Sequence, residues 1–146
     1  MAEILYPELS YNIVGAAMEV HRVLGSGFLE AVYQTALAEE MRRQKLCFRE
    51  QARLPVAYKG VAVGEYQADF VVEDKIIPEL KAVARLLDIH EAQAVHYLAA
   101  TGLKLAILLN FGSESLEPRR VINYHRRGLA ASATNSQSGP TVPPFA

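Results

Sequence analysis

Asp69 and the run Glu79-Leu80-Lys81 are the residues whose types and spacing can do chemistry in this chain. Two carboxylates and an ammonium gathered at one place can hold a hard divalent cation and position a water beside it. The segments that carry them, Glu65 to Val72 and Lys75 to Val83, are rich in aromatic and β-branched residues and read as strands. Glu73-Asp74-Lys75 between them suits a three-residue hairpin loop. With Asp74 at the centre, Asp69 falls opposite Glu79 across the ladder. Side chains alternate along a strand, so Glu79 and Lys81 share a face and Leu80 points away. Cross-strand partners stand about 5 Å apart at Cβ, and like charges so placed repel. A cation between them reverses that sign. The plainer alternative is a surface ion-pair ladder that includes Lys81. Phe70, Val71, Val72, Ile76, Ile77 and Leu80 make the strands too apolar for a solvated edge. Charge inside such strands is costly unless paired or metal-bound. Pro78 immediately precedes Glu79. Proline cannot donate a ladder hydrogen bond and favours edges and bulges, so the pairing there is expected to be irregular or one-sided.

The rest of the chain must position these residues. Leu9 to Leu24 has apolar residues at helical spacing, with Ser10 or Asn12 as a cap, and Gly25-Ser26-Gly27 breaks it. A second helix is predicted from about Phe28 to Lys45, with Leu29, Val32, Ala36, Leu37 and Met41 on its inner stripe. Three strands follow, Cys47 to Tyr58, Val61 to Val72 and Lys75 to Val83, with Lys59-Gly60 as the first turn. A third helix spans Asp88 to Thr101, capped by Asp88 and ended by Gly102. Lys104 to Asn110 is nearly all apolar and suits a strand buried on both faces. Arg119 to Tyr124 adds a further strand. This is an α/β fold, an antiparallel meander joined by a crossover helix to a buried strand. Residues 128–146 are mostly Ala, Ser, Thr, Gly and Pro with almost no charge, and read as a disordered tail behind a single domain over 1–127.

Composition narrows the function. The chain has 146 residues, half of them hydrophobic, and a net charge of −1, so it is not a general polyanion binder. No apolar run reaches the ~18 residues of a membrane span. No secretory leader is evident, and a cytoplasmic location is expected. The single cysteine, Cys47, excludes an internal disulfide and a cysteine zinc cluster. His21, His90, His96 and His125 lack zinc-ligand spacing. There is no G-x-S-x-G elbow, no P-loop and no Rossmann fingerprint. Two basic clusters remain. Arg42-Arg43-Gln44-Lys45 suits a helix C-terminus, and Arg119-Arg120 with His125-Arg126-Arg127 is either a phosphate contact or a solvated terminus.

Two helical pairs complete the chemistry. Glu30 and Tyr33 lie three apart and share a face, as do Gln93 and Tyr97, four apart. Glu30 in a first turn would in any case suit the helix dipole, and Gln93 and Tyr97 could be structural hydrogen-bonders. Taken together, Gly27-x-x-Glu30-x-x-Tyr33, Asp69, Glu79-x-Lys81, Gln93-x-x-x-Tyr97 and Asn110-Phe111-Gly112 resemble the GxxExxY family, a branch of the PD-(D/E)XK nuclease superfamily. The resemblance runs over about residues 5 to 124. It implies a restriction-endonuclease-like α-β-β-β-α-β core, with a central mixed sheet flanked by helices. It implies Mg²⁺ or Mn²⁺ held by Asp69, Glu79 and the Leu80 carbonyl. Glu30 would be a further acid, ligating directly or through water, and Lys81 would orient or activate water. Gln93 would support the site from its helix, with Tyr33 and Tyr97 behind. The implied activity is metal-dependent hydrolysis of phosphodiester bonds in nucleic acid, DNA in preference to RNA, by a protein that need not be a monomer and is compatible with a homodimer. The alternative keeps the fold as an inactive module that binds nucleic acid or a protein partner. A purely structural oligomer subunit leaves the polar cluster unexplained.

Overall fold

The computed structural model describes residues 4–123. The tail 128–146 and the basic run His125-Arg126-Arg127 lie outside the described residues. Eight elements follow one another: α1 (Pro7–Leu24), α2 (Glu30–Arg43), β1 (Phe48–Tyr58), β2 (Val61–Val72), β3 (Ile76–Lys81), α3 (Asp88–Thr101), β4 (Leu105–Asn110) and β5 (Glu117–Ile122). The order is the one expected from the sequence. The strands form one sheet in chain order, β1-β2-β3-β4-β5. Only β3 and β4 run parallel, in register from Ile76↔Leu105 to Lys81↔Asn110, with α3 as the crossover.

Two apolar layers cover the sheet. On one face, α1 and α2 pack Ile13, Ala16, Leu37 and Met41 against Phe70, Ile76, Leu80, Ile107 and Leu109. On the other, α3 packs Ala94 and Leu98 against Val71, Ile77, Ala106 and Leu108. All six residues of β4 are buried, as a strand covered on both faces requires.

Several local expectations are corrected. α1 begins at Pro7, because proline at the first helical position has no N–H to leave unpaired. Ser10 and Asn12 therefore lie inside the helix, and Ser10 is buried with its hydroxyl accepting from Arg120 Nη1 at 2.9 Å. On α2, Leu29 and Val32 face solvent, and Tyr33, Leu37, Ala38 and Met41 form the buried stripe. α3 is capped one residue earlier than expected: the Leu87 N–H donates to His90 Nδ1 at 2.9 Å. Cys47 is exposed. The Arg119 guanidinium is held by Glu91 and Glu117, and that of Arg120 by Ser10 and the Leu5 carbonyl.

Candidate active site

Lys81 is the last residue of β3, and Asn110 is its parallel neighbour at the end of β4. The crevice beyond the carboxyl ends of parallel strands is the usual place for a ligand in such sheets. The β2–β3 hairpin turns through Glu73 and Asp74, both at φ 55°, and closes with Lys75 N–H on the Val72 carbonyl at 3.0 Å. Its ladder holds at Val72↔Ile76. Pro78 has no N–H to extend it, whereas β3 stays paired with β4 along its whole length. Pairing is thus one-sided at the proline.

Side chains take over where the ladder stops. The Asp69 N–H donates to Glu79 Oε1 at 2.7 Å, and the Leu80 N–H donates to Asp69 Oδ2 at 2.8 Å. Asp69 and Glu79 are therefore neighbours, but not as the regular ladder pair expected from hairpin counting. The cause lies in β2. Ala68 belongs to the layer under α3 and Phe70 to the layer under α1 and α2, although residues two apart on a strand should share a face. β2 turns over at Asp69. On the neighbouring strand, Gln51 is in the left-handed region at φ 48°, between the pairs Glu50↔Phe70 and Ala52↔Ala68. Sequence periodicity carries no sign of this twist beyond the polar Gln51 opposite an acid.

Glu79 is buried and Asp69 half-buried. Burial, and then the charge of Asp69, push the Glu79 carboxyl up to about 8. Burial also raises Asp69, against the Leu80 N–H and the Lys81 ammonium, which favour its charged form. Glu30, at the start of α2, is exposed as a residue, yet its carboxyl is raised by partial burial and then by Asp69, with Lys81 opposing. Lys81 Nζ donates to Gln93 Oε1 on α3 at 3.4 Å. The Tyr97 phenol is pushed up to about 12 by burial and then by Glu79 and Asp69. Glu30, Asp69, Glu79, Lys81, Gln93 and Tyr97, drawn from α2, β2, β3 and α3, thus meet at one place.

Tyr33 is different. It is fully buried and stacked on Phe111, ring centroids 4.6 Å apart. Its hydroxyl donates to the Gly25 carbonyl at 2.5 Å and accepts from the Phe28 N–H at 3.2 Å. It fixes the loop that leads into Glu30. Asn110 and Gly112 are a second brace, whose purpose the sequence did not disclose. Asn110 Oδ1 accepts from the Val83 and Gly112 N–H groups, each at 3.0 Å, and Nδ2 donates to the Val83 carbonyl at 2.9 Å. The Phe111 N–H donates to the Lys81 carbonyl at 2.8 Å. A Cβ on Gly112 would overlap the Ala82-Val83 backbone. The chain leaving Lys81 is thereby held against the end of β4.

The donors suit a hard cation. Asp69 Oδ2 and Glu79 Oε1 each take one backbone N–H, and the second oxygen of each carboxylate remains for a ligand. A buried Glu79 carboxyl raised by burial and by the neighbouring Asp69 charge is an arrangement a divalent ion relieves. Among the described residues no three His, Cys, Asp or Glu side chains form a ready metal cluster. A cation here would keep much of its water, as Mg²⁺ does.

No curated protein sequence matches the chain. Among solved structures it is similar to the crystal structure of SSO0001, with a TM-score of 0.52 and 17% identity over 92% of this chain and 68% of that one. That likeness supports the α/β fold with its mixed five-stranded sheet. A family model described as the PD-(D/E)XK nuclease superfamily matches residues 7–121. With most of its length covered, the chain belongs to the PD-(D/E)XK nuclease superfamily.

Proposed function

We propose that the protein is a metal-dependent nuclease that hydrolyses phosphodiester bonds in nucleic acid, DNA in preference to RNA. The observation that carries this is the reciprocal bonding of Asp69 and Glu79, with Lys81 braced by Gln93 beside them. Nucleases of this superfamily generally use divalent metals. Asp69, Glu79 and the Leu80 carbonyl would hold Mg²⁺ or Mn²⁺, with Glu30 joining directly or through water. The bound cation supplies Lewis-acid activation of water and of a phosphoryl oxygen. Lys81 orients the attacking water and stabilises charge developing on the phosphate. Gln93 fixes the Lys81 ammonium. Tyr97 backs the site from α3, and Tyr33 holds the entry to Glu30. The motif Gly27-x-x-Glu30-x-x-Tyr33 supports a reading in which the protein is of the GxxExxY branch and acts in the cytoplasm as a homodimer.

The test is turnover. Single- and double-stranded DNA and RNA are incubated with Mg²⁺ or Mn²⁺ and with wild type or Lys81→Ala. Metal-dependent product from wild type alone is expected. No product above the Lys81→Ala control on any substrate contradicts catalysis. One observation favours a second reading, an inactive scaffold that binds nucleic acid or a protein partner: the absence, among the described residues, of a third ligand already clustered with the two carboxylates. Binding without turnover under every metal is its signature.

A further inference from the structure

Tyr66 lies three residues before Asp69 on β2 and is 43% exposed. Its ring meets Tyr97 of α3 edge-on, with centroids 5.1 Å apart and planes at 64°. Tyr66 is no part of the buried layer under α3, and Tyr97 only borders it. The pair stands beside the carboxylates: Tyr66 shares β2 with Asp69, and Gln93, one turn before Tyr97 on α3, accepts from Lys81 Nζ at 3.4 Å. Helical spacing puts exposed Ile89 and Gln93 on the same face of α3 as Tyr97. Away from the site, β2 is exposed from Val61 through Gln67 and carries solvent-facing Val61, opposite Tyr58 of β1, and Val63. β3 pairs with β2 only at Val72↔Ile76, so this two-stranded arm runs out past the central sheet with Tyr66 near its root.

A rim that is aromatic and apolar next to an acidic centre fits a base better than a row of phosphates. Gripping a duplex by its backbone takes an array of cations. The whole chain has a net charge of −1, and Arg119 and Arg120 are engaged within the protein. In a duplex both faces of a base are covered by its neighbours, whereas an unpaired base can lay a face on an aromatic ring.

We propose that Tyr66 stacks an unpaired base beside the scissile phosphate, making single-stranded nucleic acid the substrate class. This rests on the nuclease reading above. Tyr66 contributes its ring rather than its hydroxyl, and Tyr97 holds that ring upright.

The test uses the full chain as wild type, Tyr66→Ala and Tyr66→Phe. Probes are a labelled DNA strand, the same sequence as RNA, and the blunt DNA duplex. Binding is read by fluorescence anisotropy with Ca²⁺, and cleavage with Mn²⁺. Wild type is expected to bind a single strand about tenfold more tightly than the duplex, and Tyr66→Ala to lose about that factor on the single strand alone. Tyr66→Phe should stay within about twofold of wild type, because the π face is kept. An abasic sugar at the stacked position should bring wild type down to Tyr66→Ala. The DNA and RNA arms identify which strand is the ligand. Equal binding of both strands by wild type and Tyr66→Ala overturns the proposal, as does a preference for duplex. Cleavage with no dependence on Tyr66 counts against this proposal and leaves the nuclease reading intact. Tyr66-dependent binding without cleavage does the reverse.

Discussion

Asp69 and Glu79 complete each other's backbone: the Asp69 N–H is capped by the Glu79 carboxylate, and the Asp69 carboxylate caps the Leu80 N–H. Two side chains occupy the place of ladder bonds that β3, with Pro78, cannot continue. The arrangement fixes both carboxylates at the cost of placing like charges together under partial burial. A site that destabilises its own fold in this way is a common mark of function.

Glu79→Gln separates the two effects. The amide oxygen can still accept from the Asp69 N–H, while the group can no longer ionise. Metal-free Glu79→Gln is expected to be as stable as wild type or about 1 kcal/mol more stable at neutral pH, with cleavage lost. Asp69→Ala instead strands the Leu80 N–H and should cost about 1–2 kcal/mol. Urea unfolding of the metal-free proteins, paired with a cleavage assay, checks both.

Glu79 is raised from 4.5 to about 8, so the folded protein binds more protons than the unfolded chain between those values. Stability of the metal-free protein should therefore fall as pH rises through that window. Mn²⁺ must displace the Glu79 proton, so its affinity should climb over the same range, with proton release on binding. Calorimetry in buffers of different ionisation enthalpy reads the release. In Glu79→Gln the pH dependence of stability should flatten, and a slope unchanged from wild type would show that Glu79 is not its source.

Gly112→Ala drives a methyl into the Ala82-Val83 backbone, which has no side chain to swing aside. A loss of about 2–3 kcal/mol is expected. Asn110→Ala leaves the Val83 N–H and carbonyl without their partner in a buried site and should cost at least about 2 kcal/mol. Both should also lower cleavage, because the segment they hold follows Lys81 directly. Thermal melts and turnover on the same samples check this, and full activity with lowered stability would confine the brace to folding.

Tyr33→Phe keeps the stack on Phe111 and removes one hydroxyl that bridges Gly25 and Phe28. It should cost about 1–2 kcal/mol. If Tyr33 serves the site by holding Glu30, the variant should also need more Mg²⁺ for half-maximal cleavage. An unchanged Mg²⁺ requirement would make Tyr33 a core residue only.

Much of this architecture was legible in residue order. The apolar run at Leu105–Asn110 marked the strand buried on both faces, and β-branched segments around Glu73-Asp74-Lys75 marked the hairpin. Pro78 marks pairing that is either irregular or one-sided, and in the structure it is one-sided. The reversal of β2 at Asp69 was not legible, because alternation assumes a regular pleat and the left-handed Gln51 opposite breaks it. The exposure of Leu29 and Val32 was missed because helical spacing alone does not say which stripe meets the sheet. Tyr33 does so by stacking on Phe111, which lies far along the chain. The brace by Asn110 and Gly112 was visible as a motif but not as a purpose, since its partner Val83 is distant in sequence. Tyr66 is not marked out by sequence, because an aromatic residue on a strand ordinarily signals only a strand.

The most direct measurement is Mn²⁺ titration by calorimetry of wild type, Asp69→Asn and Glu79→Gln at a pH just above 8. Wild type is expected to bind Mn²⁺ with saturable heat, and each variant to show none above dilution. Equal binding by all three proteins would contradict the claim that these two carboxylates are where the metal sits.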